Sequence, residues 1–77
     1  MTKLEKQCKD MADVCELAHN RTVRECRKKG IRVNCRSQME CGDKLNHDGG
    51  DNFIHYTLEA QDIFEENYNH ICLVTDL

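Results

Sequence analysis

From Thr2 to Gly30 the apolar and small residues recur at helical spacing, and cysteines are part of the pattern. Cys8, Cys15 and Cys26 are separated by 7, 11 and 18 residues, close to whole numbers of α-helical turns. A single helix over residues 3–29 places all three on one stripe with Leu4, Met11, Ala18 and Thr22, which makes that stripe the buried face. Thr2 followed by Glu5 reads as a capping box that opens the helix. Arg24, Arg27, Lys28 and Lys29 suit its negative end, and Gly30 is a fitting stop. The weak point is His19-Asn20-Arg21-Thr22, where Asn20 and Thr22 have mediocre helix propensity. Lys6, Arg21, Arg24, Arg27 and Lys28 fall on the opposite face, with Leu17 the odd apolar residue among them.

Beyond Gly30 the pattern is shorter in range. Ile31 to Asn34 is too brief for more than an extended connector. Ser37 and Glu40 repeat the capping-box pattern and predict a short helix over residues 38–46. His47 to Asn52 is a Gly- and Asp-rich loop, with Asp51 or Asn52 as the cap of a last helix over residues 53–72. There Phe53, Tyr56, Ala60, Ile63, Phe64 and Ile71, joined by Tyr68 and Cys72, mark an amphipathic face. Glu59, Asp62, Glu65 and Glu66 form its acidic side, and residues 74–77 read as a fraying tail.

Seventy-seven residues with two Phe, two Tyr and no Trp make a marginal core that needs staples. Six cysteines, an even number in so short a chain, favour an oxidising compartment and three disulfides. Cysteines on one helical stripe cannot pair with each other, since Cys8 and Cys15 stand about 10 Å apart along the axis. Each of them therefore takes one of Cys35, Cys41 and Cys72. If the second helix packs antiparallel on the first, the spacings match for Cys8–Cys41 and Cys15–Cys35, leaving Cys26–Cys72. The rival set is Cys26–Cys35, Cys15–Cys41 and Cys8–Cys72. The fold expected is all-α: a small disulfide-stapled three-helix bundle in one domain, residues 1–77. In architecture this resembles the helical arthropod hormones related to the hyperglycaemic hormone, which also hold six cysteines in three bridges. Their close cysteine pair near mid-chain has no counterpart here.

Charge is divided unevenly. Residues 1–36 carry ten Lys and Arg against five Asp and Glu, whereas residues 37–77 carry one Lys against nine. Arg21, Arg24, Arg27, Lys28, Lys29, Arg32 and Arg36 form a basic set suited to docking an acidic partner. No sequence span is apolar enough to suggest a membrane helix.

Other chemistry is less well marked. Cys26, Cys35 and Cys41 have the opening spacing of CCCH zinc fingers, although Leu45 stands where the histidine belongs and His47 follows two residues later. Cys26, Cys35, Cys41 and His47 form the alternative zinc set, with the basic 24–36 segment as a nucleic-acid contact. The stacking aromatics that single-strand binders use are missing there. Asp48, Asp51 and Asn52 offer oxygens but do not follow the EF-hand register. Asn20-Arg21-Thr22 is a formal glycosylation sequon. No Cys-x-x-Cys pair or Cys–His partnership specifies a reaction, and His19 reads as a packed boundary residue. The function expected is that of a secreted, non-enzymatic helical ligand, such as a hormone-like factor, toxin, effector or inhibitor, with a protein as partner and no cofactor. An intracellular zinc module contacting nucleic acid is the alternative.

Overall fold

The computed structural model of the chain describes residues 1–36 and 56–77. Three α-helices are present there: α1 (Lys3–Lys6), α2 (Met11–Lys29) and α3 (Leu58–Thr75). The chain is thus mostly helical, as an all-α reading requires. The second helix expected over residues 38–46 lies outside the described residues, as do Phe53 and the Asp51 or Asn52 cap.

The expected single rod over residues 3–29 is two helices, and the division lies at Gln7–Asp10 rather than at His19–Thr22. Thr2 caps α1 as a reciprocal capping box with Glu5. Asp10 then starts α2 afresh: its extended backbone turns the chain, and its carboxylate accepts from the Asp13 N–H at 3.0 Å. Asp13 in turn accepts from the Lys9 N–H at 2.9 Å. These two carboxylates satisfy N–H groups that a continuous helix would have paired internally. The suspected weak stretch is unbroken helix, because Thr22 is packed in the core, where its hydroxyl is satisfied by the Ala18 carbonyl at 2.7 Å. At the far end Gly30 takes a left-handed conformation, φ 71°. Its N–H and that of Ile31 bond to the Arg27 and Cys26 carbonyls, so the helix ends where the sequence indicates.

The last helix starts later and ends later than expected. Thr57 caps α3 by accepting from the Ala60 N–H, and its hydroxyl donates to the Arg32 carbonyl at 2.6 Å. Its backbone N–H donates to the Val33 carbonyl, beside an isolated antiparallel bridge between Asn34 and Tyr56. Tyr56 and Thr57 therefore belong to the connector seam instead of the helix. Residues 74 and 75 continue α3, which closes at Asp76 in a left-handed conformation, φ 59°.

Helices α2 and α3 run antiparallel and bury two clusters. Val14, Leu17 and Ala18 meet Ile71, with Cys8, Phe64, Tyr68 and Cys72 packed alongside. Cys26 meets Tyr56, Ala60 and Ile63, with Ile31, Val33 and Phe64 alongside. On α2 the residues with 0% exposure are Val14, Ala18, Thr22 and Cys26, one i, i+4 row. Such a row turns about 40° per step around the axis, and helices that pack along it cross at an angle. The buried face therefore rotates from one end of α2 to the other. That rotation buries Cys26 but leaves Cys15 exposed, although the two are nearly in line. It also puts Leu17, expected on the solvent face, in the core. Leu4 and Met11, expected inside, are exposed.

Candidate functional site

The basic set divides in the structure. Arg21 is half-buried and bound internally: one guanidinium nitrogen donates to the Glu5 carboxylate at 2.8 Å and the other to the Thr2 hydroxyl at 3.2 Å. Glu5 is 3% exposed and also accepts from the Thr2 N–H at 2.7 Å. The Thr2 backbone bond, then the Arg21 guanidinium, hold its carboxyl down to about 2. His70 of α3 approaches the same carboxylate at 3.6 Å. Arg21 thus joins α1 to the helix pair.

Arg24, Arg27, Lys28 and Lys29 remain on the exposed side of the last two turns of α2. Lys29 is 3.6 Å from Glu25, one helical turn back and half exposed, a pair of small energetic weight. Arg24, Arg27 and Lys28 make no ion pair among the described residues. The exposed acids of α3, Glu59, Asp62, Glu65 and Glu66, do not neutralise them there either. Arg32 and Arg36 are exposed in the connector. Arg24 and Lys28 also line a groove of about 300 Å³ with Arg21, Glu25, Lys29 and Asn67.

Comparison with known protein families, with curated proteins and with solved structures finds no match.

The described thiols differ in their settings. Cys26 is fully buried between α2 and the start of α3, and burial pushes its thiol up. Cys8 lies between α1 and α2, where its Sγ approaches the Leu4 carbonyl at 3.5 Å. It lines a groove of about 600 Å³ with Leu4, Asp13 and Leu17, and burial raises its thiol as well. Cys15 is exposed on α2 and Cys72 half-buried on α3. No two sulfurs are bonded among the described residues. The structure does not bring together the expected pair Cys26 and Cys72, which belong to different core clusters near opposite ends of α3. The expected partner of Cys8, Cys41, lies outside the described residues, as does His47 of the alternative zinc set. Among the described residues no three His, Cys, Asp or Glu side chains gather as metal ligands, and no helix is long and apolar enough to cross a membrane.

One feature escaped the sequence. His19, Tyr56, Phe64 and Tyr68 form an aromatic row, with successive ring centroids 5.8, 5.1 and 5.9 Å apart. The Tyr56 hydroxyl and His19 Nδ1 share a hydrogen bond of 2.5 Å. Burial, then the neighbouring charges of Cys26 and Cys15, push the Tyr56 phenol up to about 12. The phenol therefore keeps its proton across the neutral range and links α2 to the connector seam. The signal that could have found the row is the spacing of Phe64 and Tyr68, one turn apart on the face that the helix offers to His19.

Proposed function

We propose that this chain is a small, non-enzymatic helical ligand that works outside the cytoplasm, with its cysteines oxidised, and docks on an acidic surface of a protein partner. The docking residues are Arg24, Arg27, Lys28 and Lys29 of α2, extended by Arg32 and Arg36. One observation carries this reading: Arg24, Arg27 and Lys28 are exposed without an ion pair among the described residues, on a helix whose reverse side is fixed in the core by Thr22 and Cys26. Cations held on a rigid support lose little freedom on binding, and unneutralised ones steer an acidic partner. The cysteine content supports the oxidising compartment.

The test replaces Arg24, Arg27 and Lys28 together by Glu and measures retention on an immobilised glutamate-rich peptide as salt is raised. The wild-type chain is expected to bind in a salt-sensitive manner. The triple variant should bind at least about tenfold more weakly, since like charges then face each other. Its melting temperature should hardly move, because all three positions are exposed. Equal retention of the two chains removes the patch as an interface.

A further inference from the structure

Ile71 is fully buried in the cluster that contains Val14, and each of these residues is followed by a cysteine, Cys72 and Cys15. Successive residues turn about 100° around a helix. When two helices pack antiparallel, the same step taken from each contact residue leads to the same edge of the pair. Cys15 and Cys72 therefore lie on one edge of the α2–α3 contact at about the same height. Tyr68, one turn before Cys72, occupies that edge too, packed on the same cluster. Its phenol is pushed up by burial first, and then by Cys72 and Cys15, both of which are near enough to act on it. His70 precedes Ile71 and takes the other edge, where it meets Glu5. Cys8 faces that other side, in the groove with Leu4 and Leu17, and Cys26 belongs to the second cluster.

We infer that Cys15 and Cys72 are a disulfide-forming pair that links α2 to α3 beside Tyr68. The inference rests on the reading that the cysteines are oxidised where the protein works, and it replaces the Cys26–Cys72 pairing expected from spacing alone. A small contact residue such as Ala18 in this cluster favours a close approach of two helix axes within the usual range of about 8–10 Å. Closing the bond draws the two edges together, because bridged Cα atoms stand within about 7 Å.

The oxidant is a small-molecule disulfide such as oxidised glutathione. The exposed Cys15, as thiolate, attacks it, forms a mixed disulfide and releases one glutathione thiol. The half-buried Cys72 thiolate then attacks the Cys15 sulfur and releases the second glutathione. Two protein S–H bonds have become one S–S bond, and the oxidant's S–S bond has become two S–H bonds.

The test oxidises the full chain in a glutathione buffer, alkylates the remaining thiols and maps the digested peptides by mass. A cross-linked peptide holding Cys15 and Cys72, lighter by two hydrogens than the separate thiol peptides, is the expected product. It should disappear in Cys15→Ser and persist in Cys8→Ser. Either cysteine joined instead to a different one, or both recovered alkylated after full oxidation, overturns the pair. The wild-type map alone is decisive if a serine variant does not fold. The map needs no binding partner, and the charge-reversal variant alters no cysteine, so the two proposals fail separately.

Discussion

The two ends of the α2–α3 pair are closed by different chemistry. At the Val14–Ile71 end, α1 is held by side chains: Glu5 gathers the Arg21 guanidinium and the Thr2 N–H, with His70 nearby. At the Cys26–Ala60 end the closure is largely backbone, through Thr57 bonded to Val33 and Arg32 and through the Asn34–Tyr56 bridge. The first closure depends on ionisation and therefore on pH. The backbone hydrogen bonds of the second join neutral groups and do not. A chain with so little apolar material thus divides its stability between a clasp of charged side chains and a seam built largely of backbone hydrogen bonds.

The sharpest way to break this comparison is to remove the core beneath the clasp. Ile71→Ala empties the centre of the first cluster, where Ile71 is fully buried, and should cost about 2–5 kcal/mol. Chemical denaturation should show a lower midpoint. If the ends are as distinct as their chemistry, amide exchange should rise more in residues 14–18 than in residues 30–34. A uniform rise would mean that the two ends open together.

A smaller effect is expected at the seam. Thr57→Ala removes the α3 cap together with the donor to the Arg32 carbonyl, and should cost about 1 kcal/mol. Thr57→Ser keeps both hydrogen bonds and should recover most of the loss in thermal denaturation. An alanine variant as stable as the parent would show that the Thr57 hydroxyl adds nothing to the seam.

The clasp itself is tested by how its contribution changes with pH. The Glu5 carboxyl falls from 4.5 to about 2 on folding, so the folded state binds fewer protons there, and stability from this group rises with pH. It is fully present above about 4.5 and is lost as the pH falls from there through about 2. Glu5→Gln should flatten that part of the melting-temperature profile between pH 5 and pH 2. The same acid slope in both proteins would assign the effect to other carboxylates.

Much of the helical layout was legible from residue order. Thr2, Glu5 and Gly30 act as cap, capping partner and stop, as their chemistry dictates, and Ala60, Ile63 and Ile71 are buried as the spacing of α3 predicts. What misled was a straight-stripe reading of α2. Packing follows the row Val14, Ala18, Thr22 and Cys26, which winds around the helix, so a cysteine's angular position did not decide its burial. The break at Asp10 had a local signal in Asp10 and Asp13, but the strong cap at Thr2 and the unbroken apolar spacing hid it. The Thr57 cap was missed because Tyr56 continues the apolar periodicity of the helix while bonding to a strand-like neighbour. In the candidate site, exposure of Arg24, Arg27 and Lys28 followed from their place on the polar face. The internal use of Arg21 did not, because it depends on a residue 16 positions away.

The aromatic row gives the molecule a built-in optical readout. The chain has two Tyr and no Trp, and the phenols are divided between the ends, Tyr56 in one cluster and Tyr68 beside the other. Near-ultraviolet circular dichroism of a chain keeping only one of them, through Tyr56→Phe or Tyr68→Phe, therefore follows one end of the fold at a time, with no attached dye.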